Sequence, residues 1–265
     1  MPLMNTNTNK MPALFVGHGS PMNAIENNQF TRTWREIGLS IPRPKAILSI
    51  SAHWETRGTY FTTMPVPRTI YDFGGFPRQL YEVKYPAKGN PELAQEISQT
   101  IKKQEIGLDM KEWGLDHGTW SVLKHMYPDA NIPVIQMSIN HFLSPVYHYE
   151  LAQEMRYLRE QGILIIGSGN MVHNLREVDW NNPNAGYDWA LEVNNKLKNW
   201  LINKEHENLI DFRKHGSDFR LAIPTAEHYI PLLYLIGLQE ENDELTLFND
   251  ELCMGSLSMT GVMVK

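Results

Sequence analysis

Short apolar runs alternate with amphipathic stretches along this chain, and the two patterns predict different elements. An apolar run of about four to eight residues bounded by Gly or Pro is typical of a buried strand, whereas apolar residues spaced three or four apart indicate a helix. Strands are predicted at Ala13–Val16, Lys45–Ser51, Thr59–Met64, Ile132–Ile139, Ile163–Ile166 and Arg220–Ile223. Helices are predicted at Asn28–Ile37, Asn90–Lys103, Ser144–Gln161 and Tyr187–Asn203, with shorter ones ending near Tyr127 and Leu235. This alternation predicts an α/β fold with a central mixed β-sheet and helices on both faces.

The two ends of the chain have a different character. Near the C-terminus, Leu245–Phe248 and Leu257–Val264 alternate apolar and polar residues, which predicts an antiparallel pair at the sheet edge. At the N-terminus, residues 1–10 are polar and rich in Asn and Thr, and they lack the apolar segment of a signal peptide. We therefore expect a flexible arm at 1–10 and a single catalytic domain at 11–265.

Composition and charge narrow the possible functions. The net charge of −6 is mild and no block of like charge stands out, so we expect no nucleic-acid partner and no membrane surface. No apolar run approaches the roughly 18–20 residues of a spanning helix. The single cysteine, Cys253, excludes an internal disulfide and fits a cytoplasmic protein. With ten histidines in the chain, a transition-metal site would use imidazole and carboxylate ligands.

Four histidines follow predicted strands or precede predicted helices. His18 lies between two glycines after the first strand, His53 follows the second strand, and His173 follows Ile163–Ile166. His228 follows the predicted strand Arg220–Ile223. Because the carboxyl ends of parallel strands meet at one edge of a sheet, these side chains are expected to converge there. Such a cluster predicts a metal site at the C-terminal ends of the strands, with open coordination positions for catalysis.

Two further features have alternative interpretations. Asp116 precedes His117, and Asp is a favoured helix N-cap, so this pair either starts a helix or supplies an acid or base from His117. The proline-rich stretch from Pro65 to Pro86 is too long for a plain connection, and such loops are often functional lids. Its aromatic and glycine residues, 71–76, would cover a planar substrate or form an ordinary surface loop.

Several common catalytic motifs are missing from the sequence. The stretch Gly17-His18-Gly19-Ser20 does not have the Gly-x-Ser-x-Gly pattern of a nucleophile elbow. The glycines at 167–169 lack the later glycine of a dinucleotide-binding fingerprint, and no phosphate-binding loop with Gly-Lys-Ser/Thr is present. These patterns leave metal chemistry as the favoured interpretation.

Six separate motifs resemble one known family, the class III extradiol ring-cleavage dioxygenases, and within it the 4,5-DOPA dioxygenase group. They span most of the chain in the family's order, and agreement at all of them is more specific than any single match. The motifs are GHGSPMNA at 17–24, SAHWET at 51–56, YDFGGFP at 71–77, LDHGTW at 115–120, GSGNMVHNL at 167–175 and EHYIPLLY at 227–234.

The resemblance implies an enzyme that opens a catechol such as L-DOPA at the 4,5 bond with O2, at a non-haem metal, and yields a ring-opened semialdehyde. It implies that His18, His53 and His228 are metal ligands. It also implies that His173 joins the metal or acts as acid or base, and that His117 is a further catalytic histidine of the pocket. Fe(II) is the metal expected for activity.

This sequence departs from better-known relatives at the third ligand. Those relatives use two histidines and a glutamate, the arrangement expected for oxygen-activating Fe(II). Here the third position is His228, with Glu227 beside it, so either residue remains a candidate. A site made only of histidines would also accept Zn(II) as the bound metal.

Two other functions are consistent with the same sequence. One is a metal-binding protein interaction module of the same fold, which would have no need of an acid–base pair such as His117 and His173. The other is a zinc-dependent hydrolase, in which a histidine-bound Zn(II) activates water. The sequence contains no signal for the oligomeric state.

Overall fold

The computed structural model describes residues 10–265, which form an eight-stranded sheet, a small two-stranded sheet and flanking helices. Residues 1–9 of the predicted arm lie outside the described residues. The strands are β1 (Ala13–Gly17), β2 (Ala46–Thr56), β3 (Thr59–Thr62), β4 (Ile106–Asp109), β5 (Val134–Asn140), β6 (Ile163–Gly169), β7 (Leu245–Phe248), β8 (Leu252–Cys253), β9 (Leu257–Ser258) and β10 (Gly261–Val264). The α-helices are α1 (Gln29–Ser40), α2 (Arg78–Tyr81), α3 (Pro91–Thr100), α4 (His117–Met126), α5 (Pro145–Glu154), α6 (Tyr157–Glu160), α7 (Asp188–Ile202), α8 (His206–Ile210), α9 (Ser217–Ala222) and α10 (Ile230–Leu238).

The large sheet is mixed, as predicted. Its strand order is β4-β3-β5-β2-β6-β1-β10-β7. The four central strands β5, β2, β6 and β1 run parallel, whereas β3 is antiparallel to β5, and β10 is antiparallel to both β1 and β7. Every residue of β1, β5 and β6 is buried, because helices cover both faces of a parallel sheet. The carboxyl ends of the four central strands therefore meet at one rim.

Alternate residues of the central strands enter two separate hydrophobic cores. Phe15 of β1 belongs to a core with side chains of α5, α7 and α10, while its neighbour Leu14 packs on the other face. That second core contains Trp34 of α1 and Trp120 of α4. The two-residue period of a strand produces this division. The predicted single α/β domain with helices on both faces is confirmed. Among the helices of residues 10–265, none has the length and apolar character required to cross a bilayer.

Strand β2 extends further than its apolar run predicts. Its pairing with β6 ends at Ser51, and its pairing with β5 resumes at Glu55 after a register shift that begins at Ile50. His53 therefore lies inside the irregular second half of the strand, and the prediction that it follows the strand end was wrong. An irregularity of this kind changes the direction of nearby side chains.

The predicted strand at Arg220–Ile223 was also wrong, because residues 217–222 form helix α9. Phe219 and Ala222 are buried three positions apart, which is helical spacing, and so short an apolar run cannot by itself distinguish the two elements. His228 consequently lies in the turn between α9 and α10.

Other element boundaries differ in smaller ways. The predicted helix Ser144–Gln161 is divided into α5 and α6 at Met155 and Arg156, and strand β4 was missed. The C-terminal antiparallel pair is confirmed for β7 and β10. However, β10 lies between β1 and β7, and residues 257–258 belong to the small sheet.

Candidate active site

The histidines named from the sequence lie together at the C-terminal rim of the central strands. His18 directly follows β1, and His53 lies in the second half of β2. His117 is the first residue of α4, and His228 lies just before α10. His173 follows β6, and its backbone N–H donates to a carbonyl at the end of α9. Five positions that are distant along the chain thus share one pocket.

The imidazole rings are close enough to share a single ion. The ring centre of His18 is 5.0 Å from that of His53, 5.5 Å from that of His117 and 5.3 Å from that of His228. The His53 and His117 rings are 4.0 Å apart. His173 stacks on His228 with 3.5 Å between ring centres and 7° between planes.

Potential ligand atoms fall into two adjoining groups. Atoms of His18, His53 and His117 lie within 4.8 Å of one another, and so do atoms of His173, Glu227 and His228. The first group includes His117, which the sequence assigns to catalysis, and the second includes Glu227, the alternative third ligand. The distances therefore place all the candidate ligands close together but do not distinguish which of them bind a metal.

Backbone contacts between β1, β6 and the turn before α10 set this arrangement. The His18 N–H donates to the Gly169 carbonyl at 3.0 Å, and the Asn170 N–H donates to the His228 carbonyl at 2.9 Å. A Cβ atom at Gly169 would lie 2.1 Å from the His228 carbonyl oxygen. Only glycine permits this close approach of two backbones. The turn that holds His228 is thus pressed against the end of β6.

The start of α4 confirms Asp116 as a helix cap and places His117 in the histidine cluster. The buried Asp116 carboxylate accepts a hydrogen bond from the Thr119 N–H at 3.1 Å and so caps the helix. Burial, followed by repulsion from the nearby Asp72 carboxylate, raises the pKa of Asp116 to about 6. His117 extends from this capped end into the pocket, so the cap and the pocket residue coexist.

The hydrogen bonds of Ser168 define the proton position on His18. The Ser168 hydroxyl donates its only proton to the Gly118 carbonyl at 2.6 Å. It must therefore accept in its contact of 2.9 Å with His18 Nδ1, which places the ring proton on Nδ1. The lone pair of His18 then lies on Nε2, which is 3.1 Å from Nε2 of His53.

Carboxylates contact the Nδ1 atoms of three further histidines. Asp72 Oδ2 is 2.8 Å from His117 Nδ1 and 3.2 Å from His53 Nδ1. Glu227 Oε1 is 3.1 Å from His228 Nδ1. A carboxylate or hydroxyl on one ring nitrogen orients the ring and leaves the other nitrogen available for a metal.

Burial favours the neutral form of four of these imidazoles, those of His18, His53, His173 and His228. It lowers the pKa values of His18 and His228 well below the usual range, and the neighbouring imidazoles lower them further. Burial and then the proximity of His117 lower the pKa of His53 to about 3, and burial lowers that of His173 to about 4. Burial would raise the pKa of Asp72, but its hydrogen bond with His117 and the adjacent imidazoles outweigh this, so the pKa is lowered and the carboxylate is ionised.

This donor set fits a metal ion. Neutral imidazole nitrogens are the ligands that Zn(II), Fe(II) and related ions prefer, and several of them face one space here. The pocket therefore has the character of a non-haem metal site.

Asp72 and Ser168 are site residues that the sequence patterns did not predict. Both lie within quoted motifs, YDFGGFP and GSGNMVHNL, so membership of those motifs was the available signal. The adjoining loop also reaches the pocket, because the Phe73 ring meets the His117 ring edge-on at 5.4 Å between centres. The remaining histidines lie outside the cluster, at His125, His141, His148, His206 and His215.

Comparison with known proteins identifies the family. The family described as the catalytic LigB subunit of aromatic ring-opening dioxygenase matches residues 12–258. A protein of Escherichia coli K12 named 4,5-DOPA dioxygenase extradiol is 45% identical over 258 residues, covering 96% of this chain and 95% of the relative. A protein of the same name from Beta vulgaris is 37% identical over 262 residues, covering 96% and 97%. The crystal structure of an uncharacterized protein from Escherichia coli K12 matches with a TM-score of 0.85 at 41% identity, covering 97% of this chain and 100% of that chain.

These similarities agree with the site and the fold. The family match contains all five histidines of the cluster, and the structural match covers 97% of this chain. Two relatives that carry the same name each align over nearly their full length. The chain therefore belongs to the LigB family, and it is an extradiol aromatic ring-opening dioxygenase.

Proposed function

We propose that this enzyme opens a catechol such as L-DOPA at the 4,5 bond with O2 and releases a ring-opened semialdehyde. The observation that carries the proposal is the cluster of adjacent imidazoles at the rim of the sheet. The names of the two relatives, 4,5-DOPA dioxygenase extradiol, support the choice of substrate.

In this proposal His18, His53 and His228 hold the metal, and His173 lies against it or joins its ligands. When bound, Fe(II) would supply the chemistry by taking both catecholate and O2 and giving their electrons a common route. The same nitrogen donors also suit Zn(II), so we propose Fe(II) for the active enzyme and Zn(II) as a competing occupant.

The contacts of Glu227 favour His228 as the third ligand. Glu227 Oε1 lies 3.1 Å from His228 Nδ1 and accepts a hydrogen bond of 2.8 Å from the Thr225 hydroxyl. A carboxylate with these partners is well suited to orient a histidine whose other nitrogen binds the metal. We therefore assign Glu227 to the support of His228.

Two histidines remain for proton transfer. His117 contacts Asp72 through Nδ1, so Nε2 is the nitrogen available to take the proton of a catechol hydroxyl. His173 stacks on His228 and is positioned to receive or return a proton on the other side of the pocket. A neutral imidazole is an effective proton acceptor near neutral pH. Phe73 packs edge-on against the His117 ring, and in this proposal it limits the access of water to that ring.

The proposal is tested by reconstituting the metal-free enzyme with Fe(II) under anaerobic conditions. L-DOPA or a simple catechol is added, O2 is admitted, and the visible absorbance of the ring-opened product is followed together with oxygen uptake. We expect product with Fe(II), less or none with Zn(II), and none with the His18→Ala variant. A wild-type enzyme with one Fe(II) per chain that cleaves none of the catechols would refute the proposal.

A further inference from the structure

The Asp72 carboxylate connects the proline-rich loop to two histidines of the site. Oδ1 accepts a hydrogen bond of 2.9 Å from the His117 backbone N–H, and Oδ2 lies 2.8 Å from His117 Nδ1. The same Oδ2 lies 3.2 Å from His53 Nδ1. Asp72 is about one-eighth exposed and His117 is buried, so solvent screens these contacts only weakly.

An ionised carboxylate constrains the protons of its neighbours. It can only accept hydrogen bonds, so an imidazole nitrogen directed at it must carry the proton. Both His117 and His53 then carry a proton on Nδ1, and in the neutral form of each ring the lone pair lies on Nε2. For His53, Nε2 is the atom that lies 3.1 Å from Nε2 of His18.

We propose that Asp72 is a positioning residue that holds His53 and His117 in the same tautomer, one for metal binding and the other for proton transfer. This inference rests on the proposed function, because the two roles are those assigned above. It adds a residue that touches neither metal nor substrate and acts through both histidines.

In the loop, Asp72 lies between two aromatic residues that make contacts of their own. The preceding residue, Tyr71, anchors the loop by donating from its hydroxyl to the Val83 carbonyl at 2.7 Å. The following residue, Phe73, packs against the His117 ring. The Asp72 carboxylate and the Phe73 ring therefore contact His117 from adjacent positions of one loop.

Replacement of Asp72 by Asn separates this role from simple support of the loop. Asn has nearly the same shape, and its oxygen can still accept from the His117 backbone N–H. Its amide nitrogen then faces His117 Nδ1 and donates to it, which moves the ring proton to Nε2. In that tautomer His117 has no lone pair for the substrate proton, as in a catalytic triad whose aspartate is replaced by asparagine.

The first experiment measures the tautomers directly. Histidine ring ¹⁵N shifts are recorded by NMR for the Zn(II)-loaded enzyme, with assignment from single His→Gln variants. We expect His117 as Nδ1–H in the wild type and as Nε2–H in Asp72→Asn. An Nε2–H tautomer in the wild type, or an unchanged tautomer in the variant, would overturn the inference.

The second experiment compares metal affinity and turnover. We expect Asp72→Asn to bind Zn(II) about 10–100-fold more weakly in a chelator competition, the usual effect of losing such a partner. At saturating Fe(II), kcat should fall at least about tenfold, with a smaller change in KM for the catechol, since the lost group acts in proton transfer. The matched control is Arg68→Met, which removes the side-chain hydrogen bonds from the same loop to the Trp113 carbonyl, at 3.1 Å, and to the Glu112 carbonyl, and touches no histidine. Equal losses in both variants would assign Asp72 to loop support and contradict the proposal.

A double-variant cycle separates the effect of Asp72 on His117 from its effect on His53. In a His117→Gln background, Asp72→Asn should still weaken Zn(II) binding through His53, but it should lower kcat no further. An additional loss of kcat at saturating metal would show that the carboxylate does not act through His117. If the wild type cleaved no catechol, the proposed function would fail, while the tautomer and Zn(II) measurements would still test Asp72.

Discussion

At the scale of single residues, the site is organised by what contacts each Nδ1 atom. Ser168 contacts His18, Asp72 contacts His117, and Glu227 contacts His228. Every one of these partners can accept a hydrogen bond from the ring Nδ1–H, so the Nε2 lone pairs are left for a metal or a substrate. The identity of the partner residue therefore matters less than its ability to accept a hydrogen bond from Nδ1.

The choice between His228 and Glu227 leads to the first prediction. On our assignment Glu227→Gln keeps an oxygen that accepts from His228 Nδ1, so metal content should remain near one per chain. His228→Ala removes a ligand and should lower the affinity for Zn(II) at least about 100-fold, as loss of a ligand exceeds loss of a supporting partner. Metal analysis after dialysis against a chelator measures both variants. The reverse order of losses would identify Glu227 as the ligand.

His173 leads to the second prediction. Because His173 stacks on His228, which we assign as a ligand, His173→Ala should retain metal while kcat falls by about 100-fold, the typical contribution of a general acid or base. Stopped-flow absorbance of product and metal analysis are made on the same preparation. His215→Ala is a control outside the cluster, since His215 packs on Trp200 and Phe219. Full turnover by His173→Ala with normal metal content would remove its acid–base role.

At the scale of elements, two irregular segments bring histidines to the regular rim of the sheet. The register shift in β2 lies between Ile50 and Glu55 and so includes His53, and the turn between α9 and α10 brings in His228. The second segment depends on its fit against β6. The His228 carbonyl accepts from the Asn170 N–H, and Gly169 leaves room for that carbonyl.

The close contact at Gly169 leads to the third prediction. In Gly169→Ala the new methyl group would meet backbone, which cannot rotate away, so the free energy of unfolding should fall by about 3 kcal/mol. Gly74→Ala is the matched control, because its Cβ would have no heavy atom within 4 Å, and it should change stability by less than about 0.5 kcal/mol. Urea unfolding followed by fluorescence measures both. Equal stability of the two variants would show that the turn and β6 can separate without cost.

At the scale of the whole molecule, a buried ion pair joins distant parts of the chain at the rim opposite the histidines. Arg159 is fully buried and binds Asp243 through both of its terminal nitrogens. It also donates to the carbonyls of Met11, Leu238 and Val264. The guanidinium therefore connects the segment before β1, the end of α10 and the last strand, β10.

This pair leads to the fourth prediction, on acid stability. Burial would raise the pKa of Asp243, but hydrogen bonds from Arg159 and Lys10 outweigh it and lower the pKa to about 2. A lowered pKa stabilises the fold above the unfolded value, near 4, and this contribution is lost as the pH falls towards 2. The wild type should thus lose about 2 kcal/mol from this group across that window. Asp243→Asn should lack this part of the pH dependence when urea unfolding is repeated at each pH.

The same variant has an effect at neutral pH. Asp243→Asn leaves the buried Arg159 without its counter-charge and should cost about 3 kcal/mol at pH 7. Asp211→Asn is the control, because it breaks only the exposed pair with Lys214 and should change stability by less than about 0.5 kcal/mol. A pH profile of Asp243→Asn that is parallel to the wild type from pH 4 to 2 would contradict the assignment to Asp243.

Local sequence patterns predicted most of the helices and strands, but they failed where contacts with distant residues decide the structure. Helices α1 and α3 begin where the spacing of apolar residues predicts, because that spacing is a local signal. In the structure Asn28 and Asn90 cap them. Residues 220–223 look equally suitable for a strand or a helix, and only the packing of Phe219 and Ala222 decides between them. Strand β2 continues past Ser51 because β5 offers it a partner, which no local pattern records.

The sequence by itself determined the alternation of strands and helices, the buried character of the central strands and, through six motifs, the family. Periodicity and capping are local, and motifs are read directly from residue order. Only the tertiary structure decided that His53 lies within β2, that His228 lies in a turn, and that Asp72 meets His117. Asp72 and His117 are 45 positions apart. A local pattern encodes which side of a helix or strand is buried. Which side chain then faces a given residue is set by how the helices and strands pack. The proton positions of the site depend on that packing.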